Sequence, residues 1–232
     1  MGELTGISWC DSTWNPWYGC RKVSPGCDNC YAERDMTRYG RDWRVTRAAT
    51  STFSAPLRWK TPRRIFTCSW SDFFIEEARP WLSEAWEIMR RTPQHTYQVL
   101  TKRPGLMAAW ADEHGWLPNV WAGTSVESAK YLPRLDVLAR VPAQVRFVSA
   151  EPLLEPLDLR PWLQGGCDWV ITGGESGPGA RPMRLEWARS LRDQCQQAGV
   201  PFFLKQLGGL HAGGPALLDG REWREFPAEQ RP

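Results

Sequence analysis

The sequence predicts an α/β protein, a partial or irregular (β/α) barrel of six to seven parallel strands. Three observations point there. Short apolar runs recur at residues 7–10, 65–69, 97–101, 120–124, 145–150, 169–172 and 202–205; after the first pair they lie about 22 to 33 residues apart, room for a strand and a returning helix. The runs are almost entirely apolar, as parallel strands buried on both faces should be. Polar residues follow nearly every run: Asp11, Ser71 and Asp72, Lys102 and Arg103, Ser125 and Glu127, Glu151, Glu175 and Ser176, and Gln206. A ring of polar strand ends is what the active face of a βα barrel presents. No glycine-rich turn follows the first run, as a Rossmann domain would require.

Taken in order, the first strand ends at Cys10 and a gap of about 55 residues precedes the second, a length that usually carries function. Residues 80–91 read as a helix that opens at Pro80 and stops at Thr92-Pro93. Residues 128–140 are helical with an interruption at Pro133. In 186–198, Trp187, Leu191, Cys195 and Ala198 form one stripe that ends at Gly199, which makes Cys195 a core residue. After Gly208 the chain is rich in Gly and Pro with weak periodicity. The expected division is a barrel domain over 1–209, with a functional loop at 11–33, and a C-terminal surface extension over 210–232.

A chain of 232 residues is long enough for one large core. Its 42% hydrophobic and 24% charged residues are ordinary for a globular protein. The absence of a long apolar run argues against a membrane span, and the N-terminus lacks the pattern of a signal peptide; a cytoplasmic protein is expected. Oligomeric state has no signature. Charge is uneven: residues 21–64 hold 11 Lys/Arg against 4 Asp/Glu, a surplus of +7, so the remainder of this +3 chain sums to −4. Such a segment suits a polyanion or a solvated surface. Most of the 15 Trp should be core or groove residues, with some able to stack on bases.

Four of the seven cysteines (Cys10, Cys20, Cys27 and Cys30) lie in the first 30 residues. In a reducing compartment a tight cluster reads as a metal site rather than a disulfide framework. Cys20, Cys27 and Cys30 have the spacing C-x6-C-x2-C, and Ser24-Pro25-Gly26 is a turn signature that would fold the spacer back. Thiolates suit zinc or an iron–sulfur cluster. A structural zinc site wants four ligands, with Cys10 the available fourth. A 4Fe–4S cluster on three thiolates would keep one iron open. His95, His114 and His211 are all distant in sequence.

A cysteine triad after the first strand of a partial barrel resembles the radical S-adenosylmethionine (SAM) superfamily. More closely, the chain resembles a phage-associated, three-cysteine-motif family of radical-SAM-like proteins of unassigned function, on the stretches at 14–33, 69–74, 98–104, 119–127, 146–154, 168–183 and 201–206. The resemblance implies a 4Fe–4S cluster on Cys20, Cys27 and Cys30, whose open iron chelates SAM, and reductive cleavage of SAM to a 5′-deoxyadenosyl radical fed by an electron donor. The superfamily's usual spacing is C-x3-C-x2-C, and its Gly-Gly-Glu follows strand two; here Ser69, Ser71 and Asp72 stand there, and Gly173-Gly174-Glu175 follows strand six. Candidate SAM contacts are these residues together with Lys102, Thr124, Ser125, Glu127 and Glu151. The glycine-rich stretch 173–179 reads either as a nest for phosphate or carboxylate, with Arg181 and Arg184 nearby, or as a tight turn. Glu151 and Lys205 are the catalytic candidates, with ion pairing to neighbouring strands as the structural alternative. The basic 21–64 segment makes a nucleic acid or nucleotide substrate the expected partner. The competing readings are a metal-stabilised nucleic-acid-binding module without catalysis, and an acid–base barrel enzyme using Glu151, Glu175 and Lys205.

Overall fold

The computed structural model describes residues 5–210 and 214–228. Seven parallel strands form one curled sheet, a half-barrel: β1 (Ser12–Trp14), β4 (Arg64–Thr67), β5 (Thr96–Thr101), β6 (Val120–Ser125), β7 (Arg146–Ala150), β8 (Trp169–Gly173) and β9 (Phe202–Gln206), neighbours in that order. Two short strands, β2 (Trp17–Tyr18) and β3 (Arg47–Ala48), pair antiparallel beside the mouth. The helices are α1 (Tyr31–Arg38), α2 (Arg79–Arg91), α3 (Pro104–His114), α4 (Pro133–Leu138) and α5 (Leu185–Ala198). Among the described residues no helix is long and apolar enough to cross a membrane.

Both faces of the strands are covered, which is why their sequences are mostly apolar, with polar residues such as Thr124, Ser125 and Ser149 gathered toward the strand ends. The outer core joins strands to helices through Tyr97, Val148 and Val170 against Trp86, Leu135 and Leu191. A second cluster fills the inside of the half-barrel: Trp9, Phe66, Trp121, Phe147, Trp169 and Phe203. Gly123 on β6 belongs to this packing, because a Cβ there would collide with the ring of Phe147. Helix α5 ends on Gly199 in the left-handed region at φ 68°, the cap read from the sequence, and Cys195 is fully buried.

Two expectations are corrected. The first strand is not 7–10 but Ser12–Trp14, aligned with Ile65–Thr67. The apolar run before it turns into the half-barrel as a floor, with Trp9 at 4.5 Å from Phe66 and 6.3 Å from Trp169 between ring centres. Asp11 consequently sits at the start of β1, where its carboxylate accepts the Arg64 N–H at 2.7 Å, and is no part of the polar mouth; Asn15 follows the strand instead. The tail is also more than a surface extension. Leu218 and Trp223 are buried, β10 (Leu217–Leu218) pairs with β11 (Arg221–Glu222), the Leu204 N–H donates to the Trp223 carbonyl, and Phe226 packs 5.4 Å from Trp169. Residues 211–213 and 229–232 of that segment lie outside the described residues.

Candidate metal centre

The cysteine loop emerges from β1 and β2 at the strand-end face. Gly19 takes φ 95°, and two backbone bonds then fix the first cysteine: Gly19 N–H to the Trp70 carbonyl at 3.1 Å and Cys20 N–H to the Trp43 carbonyl at 2.6 Å. The Ser24-Pro25-Gly26 signature becomes a 3-10 turn, Pro25–Cys27, closed by Cys27 N–H on the Ser24 carbonyl. Cys30 stands at the N-cap position of α1 in extended conformation, and its side chain makes no cap hydrogen bond to the helix. Lys22 spans the spacer, donating to the Asp28 carbonyl and pairing with Glu33.

All three thiols line one cavity of about 170 Å³ that opens at the mouth and reaches down to Trp9 and Phe66. Burial, with a further push from the charge of Asp72, raises the Cys20 thiol to about 12, so a metal arriving at this sulfur must displace a proton. Among the described residues no three His, Cys, Asp or Glu side chains are grouped as ligands of a single ion. A tetrahedral zinc would need four sulfurs drawn within roughly 4 Å of one another, given Zn–S bonds of about 2.3 Å; a cubane cluster, holding each thiolate on a different iron, needs them farther apart. Cys10 is buried in the floor cluster with Trp9 and Phe66, and does not line the cavity. Cys68, outside the N-terminal cysteine group, does line it. It follows β4 with φ 66°, a left-handed conformation uncommon for a residue with a side chain, and burial followed by the charges of Asp72 and Cys20 pushes its thiol well above the usual range.

The candidate ligand-binding residues divide into two groups. Ser69, Ser71, Asp72, Lys102, Ser125, Glu151 and Lys205 line the cavity. Thr124, Glu127, Gly173, Gly174 and Glu175 do not. Thr124 donates to the Thr101 carbonyl, and Glu127 is buried against Arg134 at 3.1 Å. Several cavity residues already serve the scaffold. The Asp72 carboxylate accepts four hydrogen bonds, from Thr101 Oγ1, Phe74 N, Lys102 N and Arg103 Nη1 at 2.6 to 3.0 Å. Ser71 donates to the Gly19 carbonyl, and Ser69 is bonded to Asn15. Glu151 is different. It pairs with Lys205 at 3.3 Å and meets Ser149 at 3.3 Å, while its buried Oε1 receives no well-directed hydrogen bond.

The glycine-rich stretch is shaped by the protein itself. A Cβ at Gly173 would lie 2.6 Å from Glu151 Oε1, and one at Gly177 would strike the Arg34 guanidinium. Glu175 leads a clamp across the mouth. Arg181 binds its Oε1 at 2.6 Å and reaches the Pro25 carbonyl at 2.8 Å. Asn29 donates to Glu175 Oε2 at 2.8 Å and to the Gly179 carbonyl at 2.9 Å. Arg34 joins the Asn29 and Ser176 carbonyls. Burial works to raise the Glu175 carboxyl, but the Arg181 and Asn29 hydrogen bonds outweigh it and hold it down at about 2. The clamp ties the loop of Cys27 and Cys30 to the end of β8. Asn29 and Arg34 carry no motif that a sequence could reveal, and Arg181, expected beside an anion nest, instead holds the Glu175 carboxylate.

The basic 21–64 segment does not form one face. Arg63 and Arg64 lie at the strand-start end, where Arg64 pairs with Asp11 and covers Phe226 at 4.1 Å. Arg21 and Lys22 are at the mouth, paired with Glu77 and Glu33.

The fold has known counterparts. Two solved structures of spore photoproduct lyase, both mutants, superpose on this chain with TM-scores of 0.51 and 0.49 at 12% and 14% identity, each covering 83% of this chain and 75% of the other. The first shows that this chain shares the curled α/β half-barrel of spore photoproduct lyase; at such identity the likeness concerns fold alone. No curated protein matches the sequence. A family profile described as "Protein of unknown function (DUF5131)" matches residues 4–227, and the chain belongs to that family.

Proposed function

We propose that this DUF5131 chain is a radical SAM-type enzyme, working in a reducing cytoplasmic setting, that carries a 4Fe–4S cluster on Cys20, Cys27 and Cys30 and acts on a nucleic acid or nucleotide. The observation that carries the reading is that the three thiols of one short loop, with Cys68 beside them and no histidine, share one cavity with the polar strand ends of a radical-SAM-type half-barrel. The donor set fits the group: soft sulfur ligands, three in number, would leave one iron for an exchangeable ligand. Bound there, the cluster would supply the electron and the open iron on which SAM cleavage depends, replenished by an external electron donor.

The chain's own residues have separate tasks in this reading. The Glu175–Arg181–Asn29 clamp orients the loop of Cys27 and Cys30, and Asp72 with Arg103 fixes the wall beside Cys20. Ser125, Lys102 and Glu151 are the groups best able to contact SAM: the Asp72 carboxylate, Ser69 and Ser71 are held by hydrogen bonds of 2.5 to 3.0 Å, whereas the contacts of Glu151 to Lys205 and Ser149 are both 3.3 Å. Glu151 would accept a hydrogen bond from an amino or hydroxyl group at Oε1, the oxygen that the Lys205 ammonium faces at 3.3 Å and to which no hydrogen bond is directed in the cavity. Aromatic side chains below keep bulk water from the interior.

The test is anaerobic reconstitution with iron and sulfide, followed by assay of both elements and of 5′-deoxyadenosine after reduction with SAM. About four irons per chain, lost together with 5′-deoxyadenosine formation in Cys20→Ala, Cys27→Ala and Cys30→Ala, supports the reading. Tight zinc binding that also requires Cys10 overturns it in favour of a binding module without catalysis.

A further inference from the structure

We infer that the surface beside the cysteine loop, built by residues 38–47 with Tyr18 and Trp70, binds an unpaired nucleic-acid strand. The inference rests on the nucleic-acid reading above and adds where the strand lies and how it is held. Tyr39 is 66% exposed, the most exposed large hydrophobic side chain among the described residues. Its ring lies 6.0 Å from that of Trp70 at 32°, a tilted pair on the surface. Arg41 lies 4.5 Å over Tyr18, and Lys22 5.5 Å over Trp43. Flat aromatic faces interleaved with guanidinium groups are the surface on which unstacked bases bind, irrespective of sequence.

Charge points the same way. Of the cations here, Arg21, Lys22 and Arg44 have carboxylate partners in Glu77, Glu33 and Asp42. Arg38, Arg41 and Arg47 are exposed, and none of them is in an ion pair with a carboxylate among the described residues. Three exposed arginines outside any ion pair, next to two rings, match a phosphate backbone with bases turned outward. A duplex keeps its base faces stacked, out of reach of Tyr39 and Trp70. The surface is also continuous with the cavity: the carbonyls of Trp43 and Trp70 accept the N–H groups of Cys20 and Gly19, so a strand lying on it passes directly beside the first cysteine.

The experiment is fluorescence anisotropy of a labelled oligothymidylate of about a dozen nucleotides with the anaerobically reconstituted protein, in a salt series, against a duplex of equal length. The strand should bind more tightly than the duplex. Tyr39→Ala should weaken it by roughly tenfold or more. Removing Arg38, Arg41 and Arg47 together should flatten the log–log salt slope by about 2, at about 0.7 for each lost phosphate contact. Arg160→Ala, at an exposed pair with Asp158, should change nothing. Strand binding that ignores Tyr39 and the three arginines overturns this inference and leaves nucleic acid as the substrate class. A protein that binds no strand, or prefers duplex, overturns it as well, while the cluster is judged separately by iron content and 5′-deoxyadenosine in the same preparation.

Discussion

At the floor of the half-barrel Trp9, Phe66, Phe147, Trp169 and Phe203 pack ring against ring, all almost fully buried. At the mouth the cysteine loop is held by hydrogen bonds between groups 146 to 156 positions apart in sequence, on side chains that partly face water. The floor works by burial, which salt and pH touch little. The mouth works by charge and hydrogen bonding, which both affect. The floor and the candidate site at the mouth thus rest on different forces, and mutation should separate them.

The largest effect should come from the floor. Trp169→Ala removes a ring that contacts Trp9, Trp121, Phe147 and Phe203 and should cost about 3–5 kcal/mol in denaturant unfolding. Iron bound per folded molecule should stay unchanged; a parallel loss of iron would mean that the two ends are coupled.

Arg181→Ala should separate them from the other side. It takes the main partner from a Glu175 side chain that is 5% exposed. Because the guanidinium is one-third exposed, the cost should be only about 1–2 kcal/mol. Iron retention, measured by dialysis against a chelator, should nevertheless fall severalfold. A variant that loses stability but keeps its iron would reduce the clamp to a fold contact.

The same clamp predicts a pH dependence. Glu175 is held at about 2, below its ordinary 4.5. A depressed carboxyl stabilises the folded state above the unfolded-state value, and that contribution disappears as pH falls through the folded value. The stability difference between wild type and Glu175→Gln should therefore be constant above about pH 5 and shrink between about 4.5 and 2. A difference that persisted at pH 2 would place the effect elsewhere.

These contrasts also explain what the sequence disclosed. The six later strands were legible because burial on both faces makes runs such as 65–69 or 145–150 mostly apolar. The first strand was not, because Ser12-Thr13-Trp14 is short and mostly polar while the floor segment ending at Cys10 has the composition of a strand. Helix α1 escaped notice since only Ala32 and Met36 of its eight residues are buried. At the site, cysteine spacing and the turn Ser24-Pro25-Gly26 announced the loop. The clamp could not be read, since Asn29 and Arg181 meet only after β8 returns beside β1's loop. Glycines that resembled a phosphate nest turned out to make room for Glu151 and Arg34.

The smallest effect on stability should be at the sulfurs themselves. Cys27→Ser sits in a partly exposed turn and should shift unfolding by no more than about 0.5 kcal/mol, while iron content collapses. That inversion, least stability and most chemistry, is the sharpest form of the contrast between the two ends.

The central claim, an open-iron cluster facing SAM at the mouth, is tested most directly by electron paramagnetic resonance of the reduced, anaerobically reconstituted protein. A 4Fe–4S signal whose g-values change on adding SAM, and fail to change in Glu151→Ala with the cluster intact, is the predicted result. A signal indifferent to SAM in the wild-type protein would contradict it.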